Sequence, residues 1–114
     1  MTGLAAIGVF GLAIGACGRS RTAAANPSVQ ATCQHVSAIL SDGPDPGADP
    51  VGNAEAQILP LGTVHSSDRG LGKAISGLDA AYRAVYATDG STGAVAEETR
   101  AGSALDAVCP GATG

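Results

Sequence analysis

The sequence predicts an all-α fold, a small antiparallel helical hairpin or four-helix bundle closed by one disulfide, following a cleaved N-terminal signal. Three observations lead there. Beyond residue 26, apolar residues recur at intervals of three and four, the spacing that lines one face of a helix. No stretch alternates apolar and polar residues over strand length, and no repeat unit is present. Two cysteines, Cys33 and Cys109, fall on apolar stripes near opposite ends of the prospective folded region.

At 114 residues the chain has room for one domain, and removal of an export segment leaves a size at which one core stabilises only marginally. The apolar fraction of 45% overstates that core. Much of it is alanine, and another share lies in residues 4–16. Phe10 would leave with the signal, so Tyr82 and Tyr86 are the only rings left to fill space, and the core is expected to be small and aliphatic. All six basic and all ten acidic residues follow Cys17, so the mature chain keeps the net charge of −4. With no basic run to neutralise phosphates, nucleic acid is not an expected partner.

The first element is residues 4–16, uncharged and made of apolar residues and glycine. That length suits the hydrophobic part of an export signal and falls short of the roughly 20 residues that span a bilayer as helix. It ends in Ile14-Gly15-Ala16-Cys17, which resembles the bacterial lipobox: a branched aliphatic, two small residues, and a cysteine. The resemblance implies a signal peptide over 1–16 and lipidation of Cys17 after cleavage. Two acyl chains, at about 0.8 kcal/mol per buried methylene, give stable anchoring. Residues 17–26 are then a flexible tether, polar and poor in large side chains. Its Arg19 and Arg21 can meet anionic headgroups, each worth about 1 kcal/mol near a negative surface.

The helical domain is expected over 27–111. Asn26-Pro27 starts the first helix, the asparagine capping free N–H groups and the proline wasting none. Val29, Cys33, Val36 and Leu40 form its stripe, with Ile39 at the edge, and Asp42-Gly43-Pro44 stops it. Residues 43–50 hold three prolines and two glycines and read as a loop. Asp49-Pro50 repeats the cap-then-proline pattern before a short stripe of Val51, Ala54, Ile58 and Leu61, broken by Gly52 and Pro60, and this second helix is the weakest of the four.

Ser66 or Ser67 is expected to cap the third helix, where Leu71, Ile75, Leu78, Tyr82 and Val85 keep a 4-3-4-3 spacing. Beside them Gly70, Ala74, Gly77, Ala81 and Ala84 form a stripe of small residues that would let a neighbouring helix approach closely. Lys73, Ser76 and Arg83 mark the solvent side, Asp79 can pair with Arg83 one turn on, and Asp89-Gly90 ends the helix. Ser91 or Thr92 caps the fourth, with Glu97 and Glu98 in its early turns. Its Val95, Gly102, Leu105 and Cys109 face the core, and Pro110-Gly111 closes it.

With Cys17 assigned to lipid, Cys33 and Cys109 read as a disulfide in an oxidising compartment; two buried free thiols are the alternative, and a redox pair would want a C-x-x-C spacing. The closed loop covers most of the domain, for which loop entropy gives about 4.5 kcal/mol, comparable with the whole stability of so thin a core. Lipobox, short tether, and one cysteine on each of the first and last helices together resemble the small, mostly uncharacterised helical lipoproteins of actinobacteria. The resemblance spans nearly the whole chain. It implies location and fold and carries no active-site motif.

Templates for chemistry fail. The chain has no G-x-S-x-G, P-loop, H-E-x-x-H or paired-cysteine signature, so no catalytic residue, metal or cofactor is assigned and the chain reads as a non-enzyme. His35 and His65 each lack a second ligand at helical spacing and read as solvent-facing. Asp42, Asp45 and Asp49 do not alternate as a calcium loop requires, and prolines stiffen them. His65, Ser66, Ser67 and Asp68 hold the letters of a triad, but adjacent residues cannot face one another as a triad must; they read as a cap. Tyr82 and Tyr86, one turn apart, are the possible ligand contact, able to stack on a flat molecule or offer a phenolate to haem iron, although such a pair more often fills a core. The expectation is a lipid-anchored extracytoplasmic accessory domain whose partner is the membrane, through Cys17, and an unknown envelope protein. The rival is a carrier of a small hydrophobic ligand, lipid or haem, held within the bundle.

Overall fold

The computed structural model describes residues 26–114. The signal segment 1–16, the lipidated Cys17 and all of the tether but Asn26 lie outside the described residues. Those described form four helices and no strand: α1 (Pro27–Leu40), α2 (Pro50–Gly62), α3 (Arg69–Ala87) and α4 (Thr92–Val108). The architecture is the small helical bundle the periodicity predicts, closed by a disulfide between Cys33 and Cys109 whose Cα atoms lie 5.4 Å apart across 76 residues of sequence.

Local signals set most helix starts. The Asn26 side chain accepts hydrogen bonds from the backbone N–H groups of Ser28 and Val29 at 2.9 and 3.4 Å, and Asp49 accepts from Gly52 at 2.9 Å. Both caps precede a proline at the first helical position, where the missing N–H removes nothing the helix needs. The cap of α3 differs from expectation. Asp68, rather than Ser66 or Ser67, receives the N–H of Leu71 at 2.9 Å, while the Ser66 hydroxyl accepts from the N–H of Asp68 at 3.1 Å. A carboxylate at this end also meets the positive pole of the helix, which a hydroxyl does not. Ser91 caps α4 through the N–H of Ala94. The α3–α4 link turns through left-handed backbone at Asp89 and Gly90 (φ 55° and 79°), and the Gly90 N–H closes the turn on the Val85 carbonyl at 2.8 Å.

The centre of the core belongs to α3, which packs against both α2 and α4, whereas α1 packs mainly on α2. Leu71, Ile75, Leu78, Tyr82 and Val85 are all buried, as their spacing predicts, and Ala81 joins them. From α1 come Val29, Val36 and Ile39; from α4 come Ala94 and Leu105, followed by Cys109 and Ala112 beyond its end. On α1 Ile39 is buried and Leu40 only half-buried, so the helix turns slightly further inward than the expected stripe. Beyond Pro110-Gly111 the chain folds back: Ala112 is buried, and Asp106 accepts from the N–H of Thr113 at 2.9 Å and from its hydroxyl at 2.5 Å.

The expected stripe of α2 is only half the truth. Ala54 and Leu61 are buried, but Val51 and Ile58 are half-exposed, and two polar residues, Asn53 and Gln57, are buried with them. Their role lies in the preceding loop, whose carbonyls have no helical partners. The Gln57 amide donates to the Asp42 carbonyl at 2.9 Å and the Asn53 amide to the Pro44 carbonyl at 3.1 Å, fastening the loop to the helix. Gly43 makes this approach possible. It has φ 93°, and a Cβ there would stand 2.8 Å from the Ala56 Cβ.

Candidate functional site

The two tyrosines of α3 lie in different surroundings. Tyr82 is buried in the core and Tyr86 is half exposed. Burial pushes the Tyr82 phenol well above its usual range, and the carboxylate of Glu98 adds to the shift. Glu98 is itself raised by its own burial. Burial is the main cause in both cases, and it disfavours the charged form of each group. Glu97 and Glu98 lie beyond the first turn of α4, where the helix dipole has faded; Glu97 pairs instead with Arg100 on the surface.

The small-residue stripe of α3 does not bring a neighbour close along its length. Ala81 is buried and Ala74 half-buried, but Gly70, Gly77 and Ala84 are exposed, and a Cβ on Gly77 would meet nothing within 4 Å. The large side chains of the adjacent stripe set the helix spacing first, and the small residues are left on the flank. There Gly70, Ala74 and Gly77 line one side of an open, largely apolar groove whose other side is Ala101, Ala104 and Val108 of α4, with Lys73 at the rim.

The disulfide joins the middle of α1 to the residue after α4. Cys109 is buried and Cys33 half-buried, and shallow clefts flank the bond on two sides, both lined by Gln34 and Pro110.

The remaining polar candidates resolve into local structure or surface. Asp45 accepts from the Gly47 N–H at 2.8 Å in a tight turn, Asp49 caps α2, and Asp42 contributes its carbonyl to Gln57; the three act as loop and cap residues. Ser66 and Asp68 are engaged in the start of α3. Asp79 and Arg83 form the expected ion pair at 3.2 Å, yet only one carboxylate oxygen of Asp79 takes part. Its Oδ1 is buried with no hydrogen-bond partner, and the residue lines a cleft with His65, Ser76 and Arg83.

His65 also lines a second cleft, shared with His35 of α1 and with Thr32 and Thr63. The two histidines, far apart in sequence, thus reach one place through the packing of α1 against the α2–α3 connection. Local spacing holds no trace of this. Among the described residues no group of three or more His, Cys, Asp or Glu is placed to hold a metal ion, and no helix is long and apolar enough to cross a membrane. No protein-family model, curated protein or solved structure matches the chain.

Proposed function

We propose that the chain is a lipid-anchored extracytoplasmic domain that works by contact with another component of the cell envelope and performs no catalysis. The observation that carries the reading is the division of its three cysteines. Cys17 stands at the end of an apolar segment in the pattern Ile14-Gly15-Ala16-Cys17, while Cys33 and Cys109 form a disulfide with each other, a bond suited to an oxidising compartment. One thiol is thereby left for the membrane and two staple the domain. The surface supports contact over enclosure, because the groove between α3 and α4 is open and apolar. The carrier reading draws less support, since Tyr82 is part of the packed core.

Fractionation of the native host tests the anchor. The chain is expected in the membrane fraction, resistant to high salt and alkaline carbonate and released by detergent, with Cys17→Ser left uncleaved. Recovery of the wild-type chain in the soluble fraction with residues 1–16 still attached would contradict the proposal.

A further inference from the structure

We propose that the end of the bundle where the tether joins it is a docking surface for an anionic lipid bilayer, with Arg69 and Lys73 against the headgroups and the apolar groove between α3 and α4 opening onto the interface. The inference rests on the anchor at Cys17. Charge is spread unevenly along the bundle. Among the described residues Arg83 and Arg100 are paired with Asp79 and Glu97, whereas Arg69 and Lys73, both exposed and one turn apart at the start of α3, form no ion pair. The two carboxylates of this end already accept backbone N–H groups, Asp68 from Leu71 and Asp106 from Thr113. At the opposite end a Cβ on Gly90 would stand 3.2 Å from the Val51 side chain, so the loop before α2 lies beside the α3–α4 turn. There Asp42, Asp45, Asp49 and Asp89 are all exposed. An anionic surface therefore attracts one end of the domain and repels the other.

The chain enters the domain at the basic end. Val108 lines both the groove, with Gly70 and Lys73, and the cleft that holds Val29 and Gln30 of the first turn of α1, so the groove opens beside the start of that helix. From Cys17 to Asn26 even a fully extended chain reaches only about 30 Å, and that stretch carries Arg19 and Arg21. The bilayer is within reach of this end. Confinement by the anchor makes docking an intramolecular event, for which two free cations and a short apolar strip suffice. The strip is supplied by Ala74, Ala101 and Ala104, whose methyl groups can enter the headgroup boundary with no polar atom to desolvate.

The test uses the native lipidated chain with its disulfide intact, isotope-labelled, in nanodiscs of phosphatidylcholine alone or of an equal mixture with phosphatidylglycerol, each doped with a headgroup spin-labelled lipid. Paramagnetic broadening of the backbone amides reads their distance from the headgroups. In anionic discs the broadening is expected to be strongest over residues 69–77 and 101–108 and weakest over 42–49 and at Asp89. In neutral discs, or at about 1 M salt, where the screening length falls to about 3 Å, that gradient should collapse while the chain stays with the disc. Arg69→Gln with Lys73→Gln is expected to weaken the docked state about thirtyfold, at about 1 kcal/mol for each side chain, whereas Arg100→Gln should leave it unchanged. Near-ultraviolet circular dichroism of each variant confirms that the fold is kept. Association with the discs reads the anchor separately. A chain that joins neither kind of disc would overturn the anchor and the docking surface together. An anchored chain with even broadening along the bundle, or with a gradient indifferent to lipid charge, would overturn the docking surface alone. Protection of the groove amides that grows with protein concentration and comes without broadening would assign the groove to a second copy and overturn it likewise.

Discussion

The two ends of this domain are held by different physics. Helix α3 sits between α2 and α4 with a continuous buried stripe from Leu71 to Val85, so its place is fixed by apolar area removed from water. Helix α1 buries only Val29, Val36 and Ile39, packs mainly on α2, and is joined to the far end of the chain by Cys33–Cys109. A core whose one aromatic side chain among the described residues is Tyr82 is too thin to hold four helices by burial alone; the covalent link supplies at α1 what α3 draws from packing.

The sharpest way to break the contrast is to remove the link. Cys33→Ala with Cys109→Ala is expected to cost about 4 kcal/mol by loop entropy, measured by denaturant unfolding. In hydrogen exchange the amides of α1 should lose protection before those of α3. Equal loss in both helices would show that α1 is held by packing after all. Next in size, Leu78→Ala in α3 should cost about 3 kcal/mol, because the side chain is fully buried and the site cannot collapse around the void.

A smaller effect comes from the loop staple. Gln57→Ala leaves the Asp42 carbonyl without its donor and should cost about 2 kcal/mol. Gln57→Leu should cost less, since it refills the volume and also removes the unpartnered Oε1. The capping of α3 separates two residues cleanly: Asp68→Ala should lower stability by about 1 kcal/mol, whereas Ser67→Ala, at an exposed position with no part in the cap, should change it by less than about 0.5 kcal/mol.

The smallest expected effect is electrostatic. Burial raises the Glu98 carboxyl, so the folded state binds that proton more tightly than the unfolded chain. This group's contribution favours folding at acid pH and is lost as pH rises through its raised pKa. Glu98→Gln should therefore be slightly more stable than wild type at pH 7, with the difference closing as pH falls through the carboxylate range. A gap that widened on acidification would reverse the assignment.

What could be read from sequence follows the same division. The α3 stripe, the two cap-then-proline starts and the placement of Cys33 and Cys109 on inward faces are local patterns with one physical meaning, and the folded chain keeps all of them. Asn53 and Gln57 were not legible, because a buried amide is explained only by the loop carbonyl it reaches, and that meeting is tertiary. The Ser66–Asp68 stretch was recognisable as a cap, but three adjacent capping residues leave the choice to backbone geometry. The small-residue stripe misled for a related reason, since two neighbouring stripes on one helix compete for the core and the larger side chains prevail. As for the candidate site, the exposed surroundings of His35 and His65 were readable one at a time; their shared cleft exists only once α1 lies against the α2–α3 connection.

The central claim, one cysteine for the membrane and two for the fold, is tested most directly by the intact mass of the native protein extracted from membranes in mild detergent without reductant. The account predicts a chain beginning at Cys17, carrying acyl mass, and two hydrogens lighter than its dithiol form. A full-length, unacylated chain with free thiols at Cys17, Cys33 and Cys109 would contradict both halves of the claim.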